Sequence, residues 1–257
     1  EKFEDKYKNC TKNNHDRYID INDLSLNRLP ENYQESELLY FITLQAALTG
    51  RICVSENMER IKKRGTGFVQ KIRQGKLSKC PCQKCNGEYD EYAVLTVTTV
   101  NHVVGENGSV RNATMLLETP ELSFTIYGNK ISKTDRDEDN NEDWCAVEFV
   151  SHEIEKVQKI ETTLKILKEV QGNLYDKYRH DATLVVITGY PHGLTKKVSF
   201  GKLVGEKEIL KEVRVGQEWC RYKYDAITCP GSSGYPVFIL GQPVCGYGYW
   251  FGHSHNH

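Results

Sequence analysis

The chain carries no excess of charge of either sign: 34 lysines and arginines stand against 35 aspartates and glutamates over 257 residues. Nucleic acids and anionic membrane surfaces both select a basic excess, so neither is expected as a partner. No apolar run approaches the length that spans a bilayer. No internal repeat is apparent. No signal peptide is visible either, and a first residue of Glu1 rather than Met fits a leader already removed. The compartment therefore stays open between secreted and cytoplasmic, with secretion favoured if the chain is a mature form. The length is enough for a sizeable core, in one large domain or two small ones.

Cysteine is not scarce. Nine are present, and an odd count leaves at least one thiol unpaired if the others pair. Three stand together in Cys80-Pro81-Cys82-Gln83-Lys84-Cys85. Closely spaced thiolates are common zinc ligands, so Cys80, Cys82 and Cys85 are candidates for a structural zinc. No second pair follows at a finger-like distance, and the fourth ligand would come from Cys10, Cys53 or a histidine. The other reading is an oxidised loop in a secreted protein. Both stay open here.

The chemistry-bearing stretch lies near the end, in Cys229-Pro230-Gly231-Ser232-Ser233-Gly234-Tyr235-Pro236-Val237-Phe238. A serine in a glycine-rich turn presents one hydroxyl, and Gly231 lets its own N–H and that of Ser233 point the same way. Convergent donors beside a nucleophilic hydroxyl are what an oxyanion hole needs. A base and an orienting acid are found upstream. The β-branched run from Leu95 to Val100 leads into Asn101-His102, and Asp143 heads the half-apolar run Trp144 to Phe149. An imidazole titrates near neutral pH and can take the serine proton, while an aspartate can fix its tautomer.

Coarser patterns frame these residues. Residues 1–34 read as an irregular polar arm or short helix docked on the domain. Leu38, Leu39, Ile42, Ala46 and Ala47 recur at helical spacing, and Ile52 to Lys63 is expected as a second helix. Gly65-Thr66-Gly67-Phe68-Val69 reads as the opening strand of the main domain, followed by a hairpin enlarged by Gln70 to Glu91. Ile154, Val157, Ile160, Leu164, Leu167 and Val170 fall on one stripe of a predicted helix over 153–173. Thr183 to Pro191, Val198 to Val204 and Glu208 to Val215 are expected strands, and Pro236 to Leu240 pairs with Pro243 to Tyr249.

The order His102, Asp143, Ser233, each in its local setting, resembles the trypsin-like (chymotrypsin-fold) serine peptidases. The resemblance covers roughly residues 65–257, and the opening G-[ST]-G-[FV]-[IV] strand is shared with bacterial-type members. Thr188-Gly189-Tyr190-Pro191 is similar to a block in glutamyl endopeptidases, and Cys-Pro-Gly-Ser-Ser-Gly-x-Pro-Val to uncharacterised trypsin-like domains of invertebrates, molluscs in particular. The implied fold has an all-β core of two six-stranded antiparallel β-barrels. An N-terminal helical extension (1–64) would precede the peptidase domain (65–257). Barrel one would cover about 65–150, an inserted inter-barrel helix about 152–174 and barrel two about 176–257.

The implied activity is peptide hydrolysis through an acyl-enzyme, with His102, Asp143 and Ser233 as triad and no cofactor in the chemistry. The N–H groups of Gly231 and Ser233 would form the oxyanion hole, and the partner would be a peptide or protein substrate. Two departures are visible. Ser232 replaces the Asp that digestive members use in zymogen activation, so no newly cut N-terminus should be needed. Val103 replaces the Cys that commonly braces the histidine loop. By the same resemblance Ile227 floors the specificity pocket, with Thr228 and one of His253 or His255, in Gly252-His253-Ser254-His255, facing it. That set points to cleavage after Glu. The competing reading is a silent peptidase homologue acting as a binding or regulatory module, since Tyr235 stands where a small residue is usual and could crowd the site.

Overall fold

The computed structural model describes residues 10–12, 15–56, 60–76, 79–82, 85, 91–105, 107–137, 142–180, 183–214, 217–242 and 251–252. After an arm of short 3-10 turns and a two-residue strand β1 (Ile19–Asp20) comes helix α1 (Ser36–Leu48). Six strands follow: β2 (Thr49–Ser55), β3 (Ile61–Lys76), β4 (Glu91–Val100), β5 (Ala113–Thr119), β6 (Leu122–Asp137) and β7 (Glu142–Ser151). They close into an antiparallel barrel in the order β2-β3-β4-β7-β6-β5. Each strand thus has a hydrogen-bonded neighbour on both sides, with the long β3 and β6 passing from one neighbour to the other along their length.

The expected second helix over 52–63 is not formed. Ile52 and Val54 point inward and are buried while Arg51, Cys53 and Ser55 are half-buried, a period of two that serves a barrel wall and not a helix. Gly50 to Val54 also pairs with Ala113 to Leu117, which closes the barrel. The barrel wall thus starts at Thr49, and the strand holding Gly65 to Val69 is its second.

Helix α2 (Ile154–Tyr178) follows β7 and runs five residues past its expected end. Val157, Ile160, Leu164, Leu167 and Val170 are buried in the main core, with Ile154 packed at its margin. The helix lies against α1, and Glu35 ties the pair by accepting from Lys177 Nζ and, at 2.6 Å, from the Tyr178 hydroxyl. Phe41 of α1 meets Phe238 with ring centroids 4.1 Å apart. One continuous core therefore runs from the barrel through the helices into the second half.

That second half comprises β8 (Leu184–Gly189), β9 (Lys197–Lys202), β10 (Glu208–Arg214), β11 (Gln217–Arg221), β12 (Pro236–Ile239) and β13 (Phe251–Gly252). Strand β8 is buried along its whole length, as its unbroken apolar run requires. Among the described residues these strands form a five-stranded sheet, β1-β9-β8-β12-β13, and a separate β10-β11 ribbon. Among the described residues the expected second six-stranded barrel is therefore seen only in part. The expected return strand Pro243 to Tyr249 lies outside the described residues. The N-terminal arm supplies one edge of this sheet, with Ile19 and Asp20 paired to Val198 and Lys197. No described helix is long and apolar enough to cross a membrane.

Candidate active site

Strand β4 delivers His102. The strand ends at Val100, and residues Asn101–Val104 wind into one helical turn that stops at Gly105. Asn101 holds this turn to the neighbouring strand: its Nδ2 donates to Trp144 O at 3.1 Å and its Oδ1 accepts from Thr134 Oγ1 at 3.0 Å. Asp143 lies at the start of β7, beside the end of β4 because Val100 pairs with Trp144. Its Oδ1 accepts the backbone N–H of His102 at 3.0 Å, and its Oδ2 meets His102 Nδ1 in a very short contact. The carboxylate is largely shielded, with 13% of its side chain exposed against 46% for the imidazole.

The other face of the imidazole meets Ser233, with Nε2 and Oγ 2.8 Å apart. Ser233 sits on a turn built by several independent bonds. Ser232 N–H donates to Cys229 O at 2.9 Å, Tyr235 N–H to Ser232 O at 3.0 Å, and Cys229 N–H to Ser232 Oγ at 3.0 Å. Thr66 of β3 reaches across from the barrel, its N–H donating to Ser233 O at 2.9 Å. Gly234 has φ +86°, and a Cβ there would stand 2.0 Å from Thr66 O. Only glycine permits both that dihedral and that approach. Gly231 has φ +94° and faces the backbone of Tyr190, His192 and Gly193. Among the described residues no acceptor takes the N–H of Gly231 or of Ser233.

Ser232 is wholly buried. The Tyr18 phenol lies beside it and Cys229; burial, first, and the Cys229 thiol push that phenol far above its ordinary pKa, so it remains a neutral hydroxyl. Tyr235 does not crowd Ser233. Its side chain is buried in a separate cluster with Val185, Ile187, Ala226, Val237 and Ile239 inside the second half.

Ile227 and Thr228 are both buried. Ile227 O accepts from Ser199 Oγ at 3.1 Å, and Thr228 O accepts from Lys12 Nζ at 3.0 Å. His253, Ser254 and His255 lie outside the described residues.

The cysteine loop divides. Sulfurs of Cys80 and Cys85 gather with an imidazole nitrogen of His152, all within 4.8 Å of one another, and Cys80 Sγ is 3.2 Å from His152 Nε2. Cys82 is not one of these three; its backbone N–H donates to Cys80 Sγ at 3.4 Å. Burial pushes the Cys80 thiol up to about 11, and burial lowers His152 and so favours the neutral imidazole that can coordinate. The loop packs on Val94 and Val150. Val94 is six residues along β4 from Val100, roughly 20 Å at strand rise, so this group is remote from Ser233. Cys10, a candidate fourth ligand for this loop by sequence, instead stands with His15, His192 and Cys229.

Several contributors are not legible in the sequence. Thr66 sits within the Gly65-Thr66-Gly67 block, which reads only as a strand opening. His152, His15 and His192 are single residues, and nothing local marks a lone histidine as a partner for a distant cysteine.

A closed six-stranded barrel and a second antiparallel sheet, mostly β with few helices, carry this site between them. No protein-family model matches the chain, and no curated protein does. Among solved structures it is similar to Deg5, with 15% identity, TM-score 0.45 and coverage of 82% of each chain. It is also similar to the inactive form of the Rv3671c protease, with 17% identity, TM-score 0.41 and coverage of 79% of this chain and 77% of that one. The active form of that protease, from M. tuberculosis, gives 18% identity, TM-score 0.39 and coverage of 79% and 70%. The chemistry of the site is carried by its side-chain geometry and not by these likenesses.

Proposed function

We propose that the chain is a serine endopeptidase with Ser233 as nucleophile, His102 as general base and Asp143 as its orienting acid. The observation that carries this reading is the continuous hydrogen-bonded line from Asp143 Oδ2 through both nitrogens of His102 to Ser233 Oγ, 2.8 Å from Nε2. Nε2 removes the hydroxyl proton as Oγ attacks a carbonyl carbon, and Asp143 stabilises the imidazolium that forms. The developing oxyanion is met by the N–H groups of Gly231 and Ser233, which are not spent on any described acceptor. The imidazolium then protonates the leaving amine. Water, activated by the same His102, attacks the acyl-enzyme and frees Ser233.

The preferred residue before the cut is Glu. Support comes from the hydroxyl of Thr228 and from the Lys12 ammonium that reaches Thr228 O, a cation beside the expected pocket wall. The histidines of Gly252-His253-Ser254-His255 are read as further donors to a substrate carboxylate. The Cys80–Cys85 loop, with His152, is read as a structural zinc site away from the chemistry.

An active-site phosphonate probe tests the activity. Stoichiometric labelling of Ser233 that disappears in His102→Ala is expected; an unlabelled Ser233 in folded protein would leave a binding module as the function. A peptide library tests the preference: selection of Phe or Leu before the cut, or indifference to Thr228→Val, ends the Glu assignment.

A further inference from the structure

Four potential metal ligands converge behind the serine turn. One sulfur each from Cys10 and Cys229 and one nitrogen each from His15 and His192 lie within 4.8 Å of one another. His15 Nε2 stands 3.3 Å from Cys229 Sγ and 3.3 Å from His192 Nε2. Tetrahedral zinc takes Cys and His at roughly 2.3 and 2.0–2.1 Å, which separates two bound imidazole nitrogens by about 3.3 Å. One nitrogen facing a second nitrogen and a sulfur at such distances matches the geometry of ligands aimed at a common centre.

A second observation is conformational. His192 has φ +57°, the one left-handed non-glycine residue among those described, and it is buried in that conformation. Such residues persist only where surrounding structure over-determines them. Here His192 N–H donates to Pro230 O at 2.6 Å, and the carbonyls beside it are held by arginines of the barrel wall. Arg51 Nη1 donates to Gly193 O and Leu194 O, and Arg64 Nη1 to Gly193 O.

We propose that Cys10, His15, His192 and Cys229 bind one structural zinc ion that fastens the N-terminal arm to the turn carrying Ser233. The two thiols release two protons to solvent on binding, so two thiolates neutralise the dication and the site is closed, with no position left for water. Supporting contacts lie on both sides. Lys12 reaches Thr228 O, and Ile21 N–H donates to Lys196 O at 3.3 Å, next to the β1 pairing with β9. Cys229 opens the turn whose Gly231 and Ser233 N–H groups are offered to the oxyanion, so the ion would fix that turn from behind. Occupancy of the site does not depend on the peptidase reading; only its effect on turnover does.

The test uses the full chain purified in reductant without added metal, with zinc counted per chain in the unmodified protein and in Cys10→Ser and His15→Ala. Both residues lie on the arm and are only partly buried, so neither change hollows the core. Each variant is expected to carry about one zinc fewer than the unmodified chain. Its residual zinc affinity at this site should fall by more than the roughly 10–100-fold typical of losing an outer-shell partner. Cobalt(II) added to demetallated protein should give the visible bands of a tetrahedral sulfur-nitrogen site, displaced by zinc and weakened in Cys10→Ser. Hydrogen exchange should show residues 10–20 protected on adding zinc whether or not any peptide is cut. Equal zinc and cobalt signals in unmodified chain and Cys10→Ser would overturn the proposal. A Cys10–Cys229 disulfide in metal-free protein whose free thiols were alkylated at lysis would overturn it as well.

Discussion

Ser233 is flanked by two residues with opposite requirements. Ser232 must be polar because it is buried and its hydroxyl accepts the Cys229 N–H; Gly234 must lack a side chain because Thr66 O occupies the space. Ser233 itself packs little, being half-buried on a turn. Ser233→Ala is therefore expected to remove essentially all turnover while moving stability by no more than about 0.5 kcal/mol, checked by kinetics beside a urea titration. Asp143→Asn should lower kcat by on the order of 10³–10⁴, since Nδ1 then loses the acceptor that sets the tautomer of His102. Gly234→Ala, unlike Ser233→Ala, should lower stability as well as activity. The methyl group must displace Thr66 or the whole turn, at a cost of about 2 kcal/mol or more, so both the urea midpoint and the activity fall. A Gly234→Ala protein with unchanged midpoint would mean that the turn differs from the one described.

Elements explain why the histidine and the aspartate meet. Strands β4 and β7 pair without a register shift from Ala93 with Ser151 to Val100 with Trp144, so the end of one is fixed beside the start of the other. A one-residue slip would turn Asp143 away from His102 and take Cys145, Val147 and Phe149 off the main core, which is why the register is secure. The same two strands carry the Cys80–Cys85 loop at their opposite end, over Val94 and Val150. If the loop holds zinc through Cys80, Cys85 and His152, His152→Ala should release about one metal per chain and lower the thermal midpoint by several degrees. Phosphonate labelling of Ser233 in that variant at low temperature should be unchanged. Metal counting, calorimetry and mass spectrometry on one preparation check all three.

At the scale of the molecule, the N-terminal arm crosses to the second half and edges its sheet, while α1 and α2 fill the space between halves. Lys196 marks this junction. Its Nζ donates to Ala46 O and Glu118 O, each at 2.6 Å, so one buried ammonium ties α1, the end of β5 and the loop before β9. Burial lowers its pKa to about 7, well below the unfolded value near 10.4. Between these values the unfolded chain binds more proton than the folded one, so stability should rise as pH climbs from about 7 to about 10. Below about 7 both states hold the proton and the cost of burying the charge is fully present. Urea midpoints across this range are expected to climb in the unmodified chain and to flatten in Lys196→Met. An identical slope in both proteins would assign the pH dependence to other groups.

The sequence by itself singled out Ser233, His102 and Asp143 as candidates, because each sits in a short stretch whose local conformation its own residues impose: a glycine turn, a strand end, a strand start. It also determined α1 and the stripe of α2, where apolar spacing of 3.6 is long and unbroken. It misread Ile52 to Lys63, where a seven-residue alternation looks ambiguous until β3 and β5 pair with it on both sides. Tyr235 looked like an obstacle beside Ser233, and only the packing of the second half shows its ring turned into another cluster. The convergence of Cys10 and His15 with His192 and Cys229 was decided by tertiary structure alone. Residues some 200 positions apart meet because an arm, a left-handed turn and the serine loop are each held by separate backbone bonds, and no periodicity in a chain encodes such a meeting.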